Sequence, residues 1–266
     1  VWHGAEKRGY HGEITKKQLE FVKNDLALVP KDHLIFVAMH IPLVDVNNRE
    51  ELYRLIEDRP FTVSVSAHTH VQAHYFIGDA EGWKGKTPHH HLNHVTVCGS
   101  WWEGAPDEGG IPHATMSDGA PNGYSVFEFD GNRYKVKFRA ASRPESEQMS
   151  IWLPQEISLA DVPQTEVIVN VFAGSERSVV EMKVESGAWT PMTNFEGKDP
   201  YFMKLKELEA SPKPPLGLKL PNPSNTKHLW KAPLPANLRR GTYAVEIRAK
   251  DMFGQAFVDR RIVRIA

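Results

Sequence analysis

Two apolar runs that each end in histidine constrain this chain more than any other feature. Phe61-Thr62-Val63-Ser64-Val65-Ser66 alternates with the period of two that a strand requires, and it runs directly into Ala67-His68-Thr69-His70-Val71. Leu34-Ile35-Phe36-Val37-Ala38-Met39 ends in His40, followed by Ile41-Pro42, and proline cannot continue a central strand. Two neighbouring strands of this kind deliver three imidazoles to one sheet edge. Neutral imidazole is a good nitrogen donor to transition metals, and histidines one residue apart reach two ions if the backbone turns sharply between them. The pattern predicts half of a metal site.

With 266 residues, the chain has length for two domains, and its balance of 32 Lys+Arg against 33 Asp+Glu leaves no global field to attract nucleic acid or an anionic membrane. No run approaches the roughly 20 apolar residues of a membrane span. The one cysteine, Cys98, excludes an internal disulfide and reads as a buried thiol. No basic-then-apolar leader opens the chain, and it begins at Val1 rather than at Met, from which an upstream portion is expected.

Twelve of the 13 histidines lie at or before His113, which places the chemistry in the first half. Thr15 is a cap for a helix over 16–28, with Leu19, Val22 and Leu26 on one face, and a second helix is expected over 49–57. Helix, strand, helix, strand is the order of an α/β layer with its ligands at the carboxyl ends of strands. Strands are then predicted at 73–76 and 94–97, followed by a hairpin turning at Asp130-Gly131-Asn132. After the polar linker Arg143-Pro144-Glu145-Ser146-Glu147 the period is two: 167–172, 179–184, 243–248 and 257–263 read as short strands of an immunoglobulin-like β-sandwich. Residues 191–235 read as a less regular insertion with a helical piece over 201–208 and a proline-rich arm. The expected organisation is an α/β domain over 1–145 and an all-β domain over 146–266.

Several stretches taken together resemble the calcineurin-like metallophosphoesterases, in particular bacterial members that end in an added β-sandwich. These are Tyr10 with Gln18-Leu19, Met39-His40-Ile41-Pro42, Ala67-His68-Thr69-His70, Gly99-Ser100-Trp101-Trp102, Asp107, Gly110-Ile111-Pro112, Met116-Ser117-Asp118-Gly119 and Pro121-Asn122-Gly123-Tyr124. The resemblance implies two divalent ions (Mn, Fe or Zn), His40 and His68 on one and His70 on the other, and hydrolysis of phosphate mono- or diesters by a metal-activated hydroxide. It also implies a periplasmic or extracellular setting. Ahead of His40 the sequence carries none of the family's Asp-x-His, bridging Asp and Asn-His motifs, so the chain resembles the carboxyl-terminal portion of such an enzyme. It is expected to be inactive by itself and to partner the missing amino-terminal part. Ala67 stands where the family usually has glycine, a residue that permits positive φ.

Trp101, Asp118, Asn122 and Tyr124 are the candidate substrate contacts, although Asp118 and Asn122 also suit a purely local role in turns. His89-His90-His91 and His94 read as a solvated loop, and His74 as a sheet residue. Trp152, Trp189 and Trp230 read as core or interdomain anchors rather than a carbohydrate platform. The alternative function is a non-catalytic module whose sandwich binds a glycan or a protein.

Overall fold

The computed structural model describes residues 9–107, 109–214 and 219–266. Residues 1–8 of the first expected domain and 215–218 of the proline-rich arm lie outside the described residues. Regular structure is mostly β, fifteen strands against three α-helices among the described residues. None of those helices is long and apolar enough to cross a membrane. The chain divides into two compact units. The first takes the chain up to His70, His74–His94 and Phe127–Lys137; the second takes Val71–Ala73, Val95–Val126 and Phe138–Ala266. This division differs from the expected break at 145, because 95–126 belongs with the later residues.

In the first unit, α1 (Lys16–Ala27) begins at Thr15, whose hydroxyl accepts from the Gln18 N–H while the Gln18 side chain accepts from the Thr15 N–H. Strand β1 (Ile35–Ala38) follows, then α2 (Arg49–Ile56), with Glu50 and Glu51 in its first turn and Arg54 in its last, charges that suit the helix dipole. Strands β2 (Thr62–Ser66), β3 (Ala73–Ile77) and β4 (His89–Asn93) complete a sheet of order β1-β2-β4-β3, in which β1, β2 and β4 run parallel. Leu26, Leu43, Leu52, Tyr53, Ile56, Ile77 and Trp83 form its apolar cluster. Val63 and Val65 are buried on one face of β2 and Ser64 and Ser66 on the other, as expected of a strand covered on both sides.

Two expectations fail here together. His89, His90 and His91 are 2 %, 6 % and 0 % exposed and form strand β4, whereas the stretch 94–97 expected as a strand is loop. For His89 and His91 the hydroxyls of β2 explain the reversal, because they give buried imidazoles the hydrogen bonds that water would otherwise supply, while His90 has His74 and Tyr134.

Strands β5 (Gly123–Asp130) and β6 (Arg133–Ala140) form the expected hairpin, turned at Gly131 with φ of 59°. In the second unit the strands are β7 (Met149–Trp152), β8 (Glu156–Ile157), β9 (Glu166–Val171), β10 (Val179–Val184), β11 (Thr190–Pro191), β12 (Thr193–Gly197), β13 (Thr226–Pro233), β14 (Gly241–Lys250) and β15 (Ala256–Ile265). Helix α3 (Pro200–Glu209) lies between β12 and β13 in sequence and is capped by Asp199. The strands make two sheets, β11-β10-β14-β15-β8 and β12-β13-β9-β7. Both sheets feed one apolar cluster that includes Ile151, Val169 and Trp230 from one and Met182, Ile247 and Val263 from the other. The stretch expected as an irregular insertion therefore contains β13, an interior strand, and Trp230 on it is 2 % exposed. Trp152 and Trp189 are half-buried, and so is Cys98 rather than fully buried.

Candidate metal centre

Parallel pairing of β1 with β2 sets Ala38 beside Val65, and the pairing continues past both strand ends. Met39 donates to the Val65 carbonyl at 3.0 Å, and Ala67 donates to the His40 carbonyl at 3.1 Å. His40 and His68 consequently emerge next to each other. Their rings meet edge to face with centroids 4.7 Å apart, and His40 Nε2 lies 2.9 Å from His68 Nδ1. Tyr10 closes the far side of His68, with its hydroxyl 3.1 Å from Nε2.

The backbone turns sharply where the sequence requires it. His68 has φ of 54° and His70 φ of 53°, whereas Ala67 is not among the described residues with positive φ. The left-handed conformation falls on the histidines themselves, which is why alanine is tolerated before them. A non-glycine residue held in this region costs of order 1–3 kcal/mol, and such strain persists only where neighbours over-determine it. Burial pushes the His68 imidazole below its usual pKa, the nearby His40 and His70 rings push it further, and Asp45 opposes them.

Two converging imidazole nitrogens 2.9 Å apart can share one cation, since metal–imidazole bonds are about 2.0–2.1 Å. The set is partial. Among the described residues no group of three or more His, Cys, Asp or Glu is arranged to hold an ion, so His70 does not complete a three-ligand cluster with the other two. The residues fit part of a coordination sphere, not a whole one.

Sequence reasoning passed over a polar ladder behind this turn. Facing residues alternate along β2 and β4: Thr62 Oγ1 lies 2.9 Å from His89 Nδ1, and Ser64 Oγ lies 2.7 Å from both His89 Nε2 and His91 Nδ1. Ser66 Oγ is 2.9 Å from His91 Nε2 and donates to Asn93 Oδ1 at 3.0 Å. Asn93 Nδ2 donates to Thr69 Oγ1 at 2.6 Å, between the two histidines of the turn. Burial holds the His89 pKa down to about 4 and that of His91 to about 3, the latter helped by His89. Both rings are therefore neutral near pH 7. Thr62-x-Ser64-x-Ser66 and His89-x-His91-x-Asn93 share a period of two, and that matching period was the available signal.

The four expected substrate contacts all belong to the second unit and divide by exposure. Asp118 is 0 % exposed, and its carboxylate accepts from the N–H groups of Gln72 and Ala120. Asn122 is buried and donates to the Val97 carbonyl at 2.9 Å. Neither offers surface to a solute in this structure. Trp101, Trp102 and Tyr124 are exposed, and both tryptophans have left-handed backbones, with φ of 64° and 58°.

A family model described as the C terminal of calcineurin-like phosphoesterase matches residues 91–257, more than half of the chain. The chain belongs to this family. No curated protein matches it. The match to the calcineurin-like phosphoesterase C terminus begins at His91, inside β4, and ends inside β15, so it takes in Trp101 to Tyr124 and nearly all of the two β-sheets of the second unit. His40, His68 and His70 precede it. Family membership points to a phosphoesterase parent of a class that generally uses divalent metals.

Proposed function

We propose that this chain is the carboxyl-terminal portion of a dinuclear-metal phosphoesterase acting on phosphate mono- or diesters. Its first unit would be the remainder of an α/β catalytic layer and its second an immunoglobulin-like accessory sandwich. The observation that carries the reading is the 2.9 Å approach of His40 Nε2 to His68 Nδ1 at the ends of adjacent parallel strands. His40 and His68 would hold one divalent ion and His70 a second, in company with carboxylates from an upstream part of the parent protein. Bound ions of this kind act as Lewis acids on phosphoryl oxygens. The chain's own contribution is to hold His68 and His70 in a fixed, strained turn, with Tyr10 limiting the swing of His68. Alone it is expected not to turn over substrate. An exported, periplasmic or extracellular location is part of the same proposal.

The test is a zinc or manganese titration of the chain by competition with a chromophoric indicator, repeated on His40→Ala and His68→Ala. Each substitution is expected to weaken binding about tenfold or more. Wild-type chain that takes up no metal, or variants that bind as well as wild type, would remove the basis of the assignment.

A second reading is favoured by one observation. Trp101 and Trp102 are 65 % and 41 % exposed on left-handed backbone, and strain of this kind clusters at ligand sites. A glycan-binding surface on the second unit would use them as stacking platforms. Glycan-array binding lost in Trp101→Ala would support it.

A further inference from the structure

We propose that Asn93 positions the His68-Thr69-His70 turn by holding the Thr69 hydroxyl, and that Ser66 beside it fixes the Asn93 amide. This rests on the metal-centre reading for its purpose, though not for its geometry.

One donor sets the direction of the bonds that join His91, Ser64, His89 and Thr62. The Leu43 N–H points at His91 Nε2 at 3.2 Å, and a backbone N–H can only donate. His91 Nε2 is then an acceptor, and its hydrogen sits on Nδ1, where Ser64 Oγ receives it. Ser64 passes its own hydrogen to His89 Nε2, which leaves the His89 Nδ1–H for Thr62 Oγ1. Both imidazoles are thereby locked in the same tautomer. The Ser66 hydroxyl gives its one hydrogen to Asn93 Oδ1, so its 2.9 Å approach to His91 Nε2 carries no hydrogen bond, and Asn93 Nδ2 is left to face Thr69. Parallel register supports the arrangement, with Ser66 directly beside Asn93.

The turn needs such a fastening. Two left-handed residues flank Thr69, and the Thr69 N–H is bonded to the Ala67 carbonyl only two residues back. Asn93 is 0 % exposed and belongs to a strand, so it ties the strained turn to a buried part of the sheet.

Thr69→Val removes the hydroxyl at nearly constant volume, and Thr69→Ser keeps it; Thr69 is exposed, so neither change touches the core. The readouts are native-state amide exchange at residues 68–70, zinc affinity by indicator competition, and the thermal midpoint. Thr69→Val is expected to speed exchange of these amides about tenfold and to weaken zinc binding about tenfold, with the midpoint little changed. Thr69→Ser is expected to match wild type in all three. Exchange in Thr69→Val equal to wild type would overturn the proposal, and so would faster exchange with unchanged zinc affinity. If wild type takes up no zinc while Thr69→Val still loosens the turn, the metal reading fails and the positioning role stands.

Discussion

His228 Nε2 lies 3.2 Å from Asp118 Oδ2, with the histidine 2 % and the aspartate 0 % exposed, and this pair fastens the core of the second unit. Asn170 completes it. The Asn170 amide donates to the Asp118 carbonyl and to Asp199 Oδ2, which leaves its oxygen to accept from His228 Nδ1 at 2.7 Å. Burial raises the Asp199 pKa, while bonds from Asn170 and the Phe202 N–H pull it back. A residue singled out as a substrate contact is thus a structural keystone.

Asp118→Ala would strand the Gln72 and Ala120 N–H groups and leave His228 Nε2 without its acceptor. Stranding a buried hydrogen-bonding group typically costs about 1–3 kcal/mol. Urea unfolding should show a loss of that order, and Asp118→Asn, which keeps an acceptor oxygen, a smaller one. Equal stability of Asp118→Ala and wild type would contradict the network.

The ladder of the first unit should make that unit sensitive to acid. His89 and His91 have folded pKa values of about 4 and about 3 against an unfolded value near 6.5. The stabilisation is fully present above pH 6.5 and is lost as pH falls from there toward the folded values, because the unfolded chain takes up protons that the folded chain refuses. Two such protons give a limiting slope of about 2.7 kcal/mol per pH unit. Amide exchange of β2 and β4 at pH 7.5 and pH 5.5 reads this directly, with protection expected to fall at the lower pH. Ser64→Ala, which deprives both rings of a partner, should cost about 1–3 kcal/mol at pH 7.5.

The histidine turn was legible because it depends on local pattern: an alternating apolar run sets the strand, and the residue after its end must leave the sheet. The α1 cap at Thr15 and the Gly131 hairpin were visible for the same reason. Strand β4 was hidden, since three consecutive histidines look solvated until a neighbouring strand supplies Ser64 and Ser66, and pairing partners are not written in a local window. Strand β13 was masked by Lys227, His228 and Lys231 within it and by the prolines before it. The burial of Asp118 was equally non-local, because its partners Gln72, Asn170 and His228 lie far away in sequence. Exposed Trp101 and buried Trp230 look alike in composition; only the sheets tell them apart.

Trp101 offers a test of stored strain. It is 65 % exposed with φ of 64°, a backbone that L residues other than glycine adopt at a cost of roughly 1–2 kcal/mol. Trp101→Gly should therefore keep or raise the thermal midpoint even though the largest side chain is deleted. A clear drop in the midpoint would show that the indole contributes packing that its exposure does not suggest.

Trp230 sets the opposite case. Its ring lies against Gly174, where an added Cβ would stand 2.7 Å from one ring carbon and 2.8 Å from another, so the glycine is required by close approach and not by its backbone angle. Gly174→Ala should force the indole out of its site in the cluster shared by the two sheets, at a cost of about 1–3 kcal/mol typical of overpacking. Trp230→Ala should cost more, about 3–5 kcal/mol, through the cavity it leaves. In the double variant the clash with the ring is gone and only the 3.0 Å approach to the Val171 carbonyl remains, so the combined loss should fall short of the sum of the two single losses. Urea unfolding of the four proteins measures that shortfall, and strict additivity would show that the two residues do not compete for the same space.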